Sequence, residues 1–338
     1  MRFIFLLYVS RSGSTMLSRQ LDLHSLDLIV LPEFRLMELL LAKGDYSIRN
    51  MNKGQLMNFI KLDHQLSNLG FNNEDLEKII QDSVGKGIKI LMENISSCYC
   101  IKCGIYPKMV MIKNGGLLFL LDKLNKLFSD ALYIHIYRDP RAVVNSMIHT
   151  ISPYFRNEKM GRNDVVYAAR SWLKYMKLVE NIKKSISIIE VKYEELCLSG
   201  NVNILREIIE NLGVSYIEPH VVIKRKKIIQ VGKKEKKIHK LAKKSPSAKR
   251  IDSWKTELTL CQGVAIETIV HEKLSKFGYQ KWFCMQSGQW KKNACYMKVI
   301  LIHCYKTIRY FYNRIFHYID NINTVPIRFK LFVVRKRK

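Results

Sequence analysis

The stretch "YVSRSGSTMLSRQLD" (Tyr8–Asp22) decides how the chain begins to fold. The apolar segment Phe3–Val9 runs into Ser, Arg and Gly, and a helix-like pattern follows from Thr15 to Asp22. A strand, a small-residue turn and a helix together aim backbone N–H groups and the positive end of a helix dipole at one point. Gly13 permits the backbone turn that closes such a nest around an oxygen. Ser12, Ser14 and Thr15 add hydroxyl donors, and Arg11 adds a planar cation. A simple helix N-cap built from Ser or Thr is the alternative. The triphosphate-binding loop requires Gly-Lys-[Ser/Thr] after four free positions, and that lysine is missing here.

Outward from this loop, strands and helices alternate. Met109–Ile112 reads as a strand ending at Lys113-Asn114-Gly115-Gly116, with a helix over Leu117–Phe128. Ala131–Tyr137 reads as a strand ending at Arg138-Asp139-Pro140-Arg141, and Pro140 suits the first turn of the next helix. A longer helix spans Asp164–Ile182, and Ile186–Val191 is a further strand leading into Tyr193. Residues 54–82 suggest two helices separated by "NLGFNN", and Thr256–Gly278 returns to helical periodicity. This alternation predicts an α/β protein with a mostly parallel central sheet flanked by helices. Ligands of such sheets sit at the carboxyl ends of strands, where the loops at 10–15, 113–116 and 138–141 all fall.

At 338 residues the chain can bury a large core, and its 48% hydrophobic and 25% charged residues suit a globular protein. A formal charge of +28 is self-repelling and points to a polyanionic partner: a nucleotide, nucleic acid, acidic glycan or anionic membrane. The opening apolar run is too short for a signal peptide and lacks a small-residue cleavage site. No stretch reaches the roughly 18 apolar residues of a spanning helix. The eight cysteines are therefore expected to be reduced thiols in a cytoplasmic protein. "CYCIKC", with Cys98, Cys100 and Cys103, is unevenly spaced for zinc and reads as thiols in a loop. His135, inside an apolar strand, reads as a core histidine. No metal is expected.

Taken in order, these segments resemble the sulfotransferases that use 3'-phosphoadenylyl sulfate (PAPS). "SRSGSTML" resembles the loop for the 5'-phosphosulfate, and "IYRDPRAVVNSM" resembles the 3'-phosphate site, with a serine eight residues after its arginine. "IEVKYEEL" resembles the family's strand with Tyr-Glu-x-Leu, "KRIDSWKTEL" its late Arg-x-x-x-Trp loop, and "HEKLSKFGY" its closing helix. The likeness covers roughly residues 3–280, and Arg-Ser-Gly in the first loop is closest to the carbohydrate and tyrosylprotein branch.

The resemblance implies a three-layer P-loop-like fold over 1–285 and assigns roles to residues. Arg11, Ser12, Gly13, Ser14 and Thr15 would hold the phosphosulfate, and Arg138 and Ser146 the 3'-phosphate. Tyr193 would pack near that phosphate or lie in the core, and Arg250 and Trp254 belong to the loop over the nucleotide. Trp254 could equally be a buried structural residue, and Arg141 a surface residue paired with carboxylates. Glu33, in "VLPEFRLM", resembles the catalytic glutamate of Glu-x-Arg and would act as general base; otherwise it only favours a helix start. Lys113 and Arg11 would neutralise charge on the group in transfer. In "MIKNGG" glycine replaces the family's proline, and Thr150 stands where the tyrosylprotein branch has a second basic contact.

The acceptor implied is a hydroxyl, expected on a saccharide or glycolipid. Residues 286–338 form a basic, aromatic extension in which Leu301, Tyr305, Ile308, Tyr312, Ile315 and Ile319 recur at helical steps. Such a helix suits an anionic membrane surface at the inner face, the protein's own core, or a second subunit. Two other classes compete. A P-loop small-molecule kinase lacks its lysine and a Mg²⁺-holding acid. A nucleic-acid-binding protein, suggested by the cationic run Lys224–Arg250, lacks any recognised motif.

Overall fold

Along β1 (Arg2–Tyr8), Phe3, Phe5 and Leu7 alternate with Ile4, Leu6 and Tyr8, and both sets are buried. Successive strand residues face opposite sides, so a strand apolar at each position from Phe3 to Tyr8 must be covered on both faces. Phe3, Phe5 and Leu7 join the larger core cluster; Ile4, Leu6 and Tyr8 join a second one. Phe128 packs edge-on against both Phe3 and Phe5.

The structure, a computed structural model, describes residues 1–152, 159–198, 202–218 and 248–320. β1 is the middle strand of a five-stranded parallel sheet in the order β2-β3-β1-β4-β5. The others are β2 (Leu28–Val30), β3 (Met109–Lys113), β4 (Leu132–Tyr137) and β5 (Ile189–Lys192). Leu6 pairs with Lys113, and Tyr8 with Ile136, so β1, β3 and β4 end side by side. The chain reverses its direction of travel across the sheet around β1, the arrangement that opens a crevice at the carboxyl ends.

On the face of the second cluster lie α1 (Ser14–Leu23), α10 (Tyr193–Leu198) and α11 (Val202–Asn211). The remaining helices are α2 (Leu36–Lys43), α3 (Asp45–Arg49), α4 (Lys53–Ile60), α5 (Asn73–Ser83), α6 (Ile88–Cys103), α7 (Leu121–Leu127), α8 (Pro140–His149), α9 (Val165–Ile182), α12 (Trp254–Glu257), α13 (Leu260–Lys276) and α14 (Gln289–Asp320). The mostly parallel, helix-flanked sheet is thus as the alternation predicts. The helix expected over Leu117–Phe128 is divided into a 3₁₀ turn, Gly115–Leu120, and α7.

Two expectations about cysteine are corrected. Cys98, Cys100 and Cys103 lie on α6 and not in a loop; Ile88, Leu91, Met92, Ile95 and Tyr99 give that segment a buried helical face. Cys261 and Cys295 form a disulfide, because α13 and α14 bring their Cα atoms to 4.6 Å, within bonding range. The first half of α14 is accordingly docked. Cys295 and Val299 are buried in the core, and His303 Nδ1 lies 2.6 Å from Asp164 Oδ2 at the start of α9. Among the described residues no helix is long and apolar enough to cross a membrane. Most of the cationic run Lys224–Arg250, and the side chains of Ile315 and Ile319, lie outside the described residues.

Candidate active site

The loop after β1 turns twice through left-handed backbone. Arg11 has φ 76° and Gly13 φ 95°. The second is free for glycine; the first costs an ordinary residue about 1 kcal/mol or more. Gly13 starts α1 with no side-chain cap, so the helix's leading N–H groups are not claimed by a serine or threonine oxygen. A Cβ on Gly13 would lie 2.4 Å from the Tyr193 ring, so only glycine fits between that ring and the loop. Ser12 is buried and its Oγ has no hydrogen-bond partner. A buried hydroxyl without a partner, beside the leading amides of a helix, suits an oxyanion.

Lys113 ends β3, and its side chain is only 2% exposed. Its Nζ donates to Thr15 Oγ1 at 3.1 Å and lies 3.3 Å from Glu33 Oε2. Glu33 follows β2, and its segment is pinned from several sides. Asn68 Nδ2 donates to the Glu33 carbonyl, Arg35 N donates to Asp63 Oδ2, and Asn114 Nδ2 donates to the Phe34 carbonyl. The carboxylate expected to act as base, the strand-end lysine and the loop threonine thus stand in one row. Close backbone contact explains the glycine after Asn114: a Cβ on Gly115 would come within 2.9 Å of the Tyr8 carbonyl oxygen.

Across the loop the cations gather without acids. Arg11 Nε donates to Ser146 Oγ at 2.9 Å. Arg138, at the end of β4, donates through its two terminal nitrogens to the Arg11 and Arg250 carbonyls. Its guanidinium lies over the Tyr193 ring at 4.2 Å, while its buried Nε has no partner. Burial, then the charges of Arg138 and Arg250, hold the Arg11 pKa below its ordinary value. Among the described residues neither Arg11 nor Arg138 forms an ion pair with a carboxylate; Arg250 has a long contact of 3.8 Å to Glu257. The guanidinium groups of Arg11 and Arg138, uncompensated by carboxylates, fit a phosphate.

The remaining candidates fall elsewhere. Trp254 is buried and faces the Arg141 guanidinium at 3.9 Å, with Phe283 and Trp282 around it, which is the structural alternative. Arg141 pairs with carboxylates but is not on the surface. It is buried, and its guanidinium binds Asp139 and Glu267, each at 2.7 Å, and the Gln280 carbonyl. Burial opposes that charge, yet the two carboxylates outweigh it and raise the Arg141 pKa. Arg11 contacts Ser146 and Arg138, while Lys113 contacts Glu33 and Thr15 of the same loop. Glu194, unnoticed beside Tyr193, accepts from Asp139 N at 2.9 Å and from the Tyr279 hydroxyl at 3.0 Å. It fixes the backbone next to Arg138; its place in the Tyr-Glu-x-Leu run was the available signal.

The sulfotransferase family profile matches residues 4–218. Two solved structures share the fold. A sulfotransferase domain from the Synechococcus PCC 7002 olefin synthase is 20% identical, with TM-score 0.58, over 83% of this chain and 95% of that one. A sulfotransferase domain from the curacin biosynthetic pathway is 17% identical, with TM-score 0.58, over 82% of this chain and 98% of that one. No curated protein matches the sequence. By the extent of the profile match, which runs from β1 through α11 and takes in all three strand-end loops, the chain belongs to the sulfotransferase family.

Proposed function

We propose that the protein moves a sulfuryl group from PAPS to a hydroxyl of a saccharide or glycolipid, with Glu33 as general base. The observation that carries the donor assignment is the pair of guanidinium groups, Arg11 and Arg138, without a carboxylate partner among the described residues, next to the orphaned Ser12 hydroxyl. When bound, PAPS supplies a sulfuryl group already activated on a phosphate. The α1 amides with Ser12, Ser14 and Thr15 would hold its phosphosulfate end. Arg138, Ser146, Arg250 and Arg11 would hold the 3'-phosphate that distinguishes it from ATP. Tyr193 keeps Arg138 in place from below, and Trp254 braces Arg141.

Glu33 is suited to accept the acceptor's proton because its carboxylate lies at the row's outer end and is partly exposed. Lys113, held between Glu33 and Thr15, would supply positive charge to the negative charge that gathers on the leaving oxygen, without needing solvent to reorganise. A saccharide or glycolipid acceptor rests on the likeness of the first loop to the carbohydrate branch and on the basic C-terminal extension.

Glu33→Gln tests the base. Transfer should fall by at least about 10²-fold, while thermal stabilisation by 3',5'-ADP stays as in wild type. Full activity in this variant removes Glu33 from the chemistry. Stabilisation by ADP with Mg²⁺ but not by 3',5'-ADP would refute the donor. Labelled sulfate from PAPS should enter a saccharide or glycolipid in an extract of the source organism; label on peptide tyrosine would refute the acceptor class.

A further inference from the structure

α14 meets the rest of the protein along one side only. Cys295, Val299 and His303 form the docked side, and the Cys261–Cys295 bond fastens it to α13. At 100° per residue, Trp290, Met297, Leu301, Tyr305 and Ile308 fall within about a quarter of the helix circumference, on the opposite side. All five are exposed, from 55% at Met297 to 84% at Trp290. Isolated apolar residues on a surface are ordinary, but a continuous stripe nearly 30 Å long, at about 1.5 Å per residue, is not.

Charge identifies what covers it. Lys291, Lys298 and Arg309 are exposed along one flank of the stripe. Residues 286–338 hold twelve Lys or Arg and one acid, Asp320, in a chain of formal charge +28. A second copy would bring this excess against itself, whereas anionic lipid would neutralise it. Tryptophan and tyrosine, apolar with a polar edge, suit the boundary between headgroups and acyl chains.

We infer that the exposed stripe of α14 is a membrane-docking face for bilayers rich in anionic lipid, carried on a helix fastened rigidly to the catalytic domain. It lies flat in the interface, with its apolar stripe among the acyl chains and its basic flank at the headgroups. Each basic group near the surface contributes about 1 kcal/mol at physiological salt. The docked side sets how the enzyme is oriented on the membrane, which a flexible tail could not do. This inference does not depend on the proposed reaction.

The full-length protein is sedimented with vesicles of phosphatidylcholine alone and of phosphatidylcholine with phosphatidylglycerol. It should pellet with the second, stay in solution with the first, and release as salt is raised. Leu301→Asp with Ile308→Asp should weaken vesicle binding at least about tenfold, with an unchanged cooperative thermal unfolding transition as proof of folding. Failure to bind anionic vesicles overturns the inference. So does undiminished binding by the folded double variant, which would put the contact elsewhere. A wild-type dimer in light scattering that crosslinks through the exposed, unbonded Cys304 and becomes monomeric in the double variant would assign the stripe to a second copy instead.

Discussion

Arg138 and Arg141 belong to one four-residue run, yet they live in opposite surroundings. Arg141 is buried among carboxylates, with Asp139 and Glu267 at 2.7 Å and Trp254 over its face. Arg138 has an aromatic ring beneath it, backbone carbonyls at its tips, an orphaned Nε and two other guanidinium groups close by. The first arrangement is electrically complete and holds the fold together. The second has no carboxylate partner among the described residues, and under the proposed function an anion would complete it. Compensation, not burial or residue type, separates Arg141 from the arginine proposed to bind the nucleotide.

The largest effect that would break this contrast is at Arg141. Arg141→Met leaves the Asp139 and Glu267 carboxylates uncompensated, and should cost about 3–5 kcal/mol in urea unfolding. A loss below 1 kcal/mol, on the order of a surface pair, would mean the network is not structural. Arg138→Ala should do the reverse. Unfolding stability stays level or rises, because a repelling cation is gone, while affinity for 3',5'-ADP in calorimetry falls about 30–150-fold, from about 2–3 kcal/mol of charged hydrogen bonds. Equal losses in stability and affinity would make the two arginines alike.

Acid should then separate scaffold from site. Contact with His135 and the Lys183 ammonium at 2.5 Å hold the Glu190 pKa down at about 2, and full burial lowers that of His135. Both values are depressed on folding, so the unfolded chain takes up protons first. Stability from His135 is complete above its ordinary pKa near 6.5 and fades as pH falls below it. The Glu190 share is complete above about 4.5 and is lost toward about 2. Melting temperature should therefore drop on acidification, and Glu190→Gln should flatten the limb below pH 4.5. A melting temperature level from pH 7 down to the Glu190 value of about 2 would contradict this. The smallest effect is Ser146→Ala, which removes one bond to Arg11 and should weaken 3',5'-ADP about three- to tenfold, for about 1 kcal/mol.

The strand-end loops were legible because their chemistry is local: glycine at a tight turn, hydroxyls, and a cation after an apolar strand. Lys113, Arg138 and Ser146 could be named for that reason. β2 was not foreseen; three residues, Leu28–Val30, are too few to show a period. α6 shows Ile88, Leu91, Met92 and Ile95 at helical spacing, whereas the uneven spacing of its cysteines by itself suits a loop. Two of the partners of Arg141, Glu267 and Gln280, lie more than 120 residues away, and no pattern near Arg141 points to them. The stripe on α14 was visible as a period, but which side would dock was decided by the fit of Cys295 and Val299 against the core.

The left-handed turn at Arg11 has a consequence for anyone who selects this enzyme for heat resistance. Glycine at that position would relax the backbone, and a neutral side chain would remove repulsion from Arg138 and Arg250. Screening on melting temperature without ligand would therefore reward the loss of the very guanidinium that reaches Ser146. Selection in the presence of 3',5'-ADP should reverse that preference at the same position.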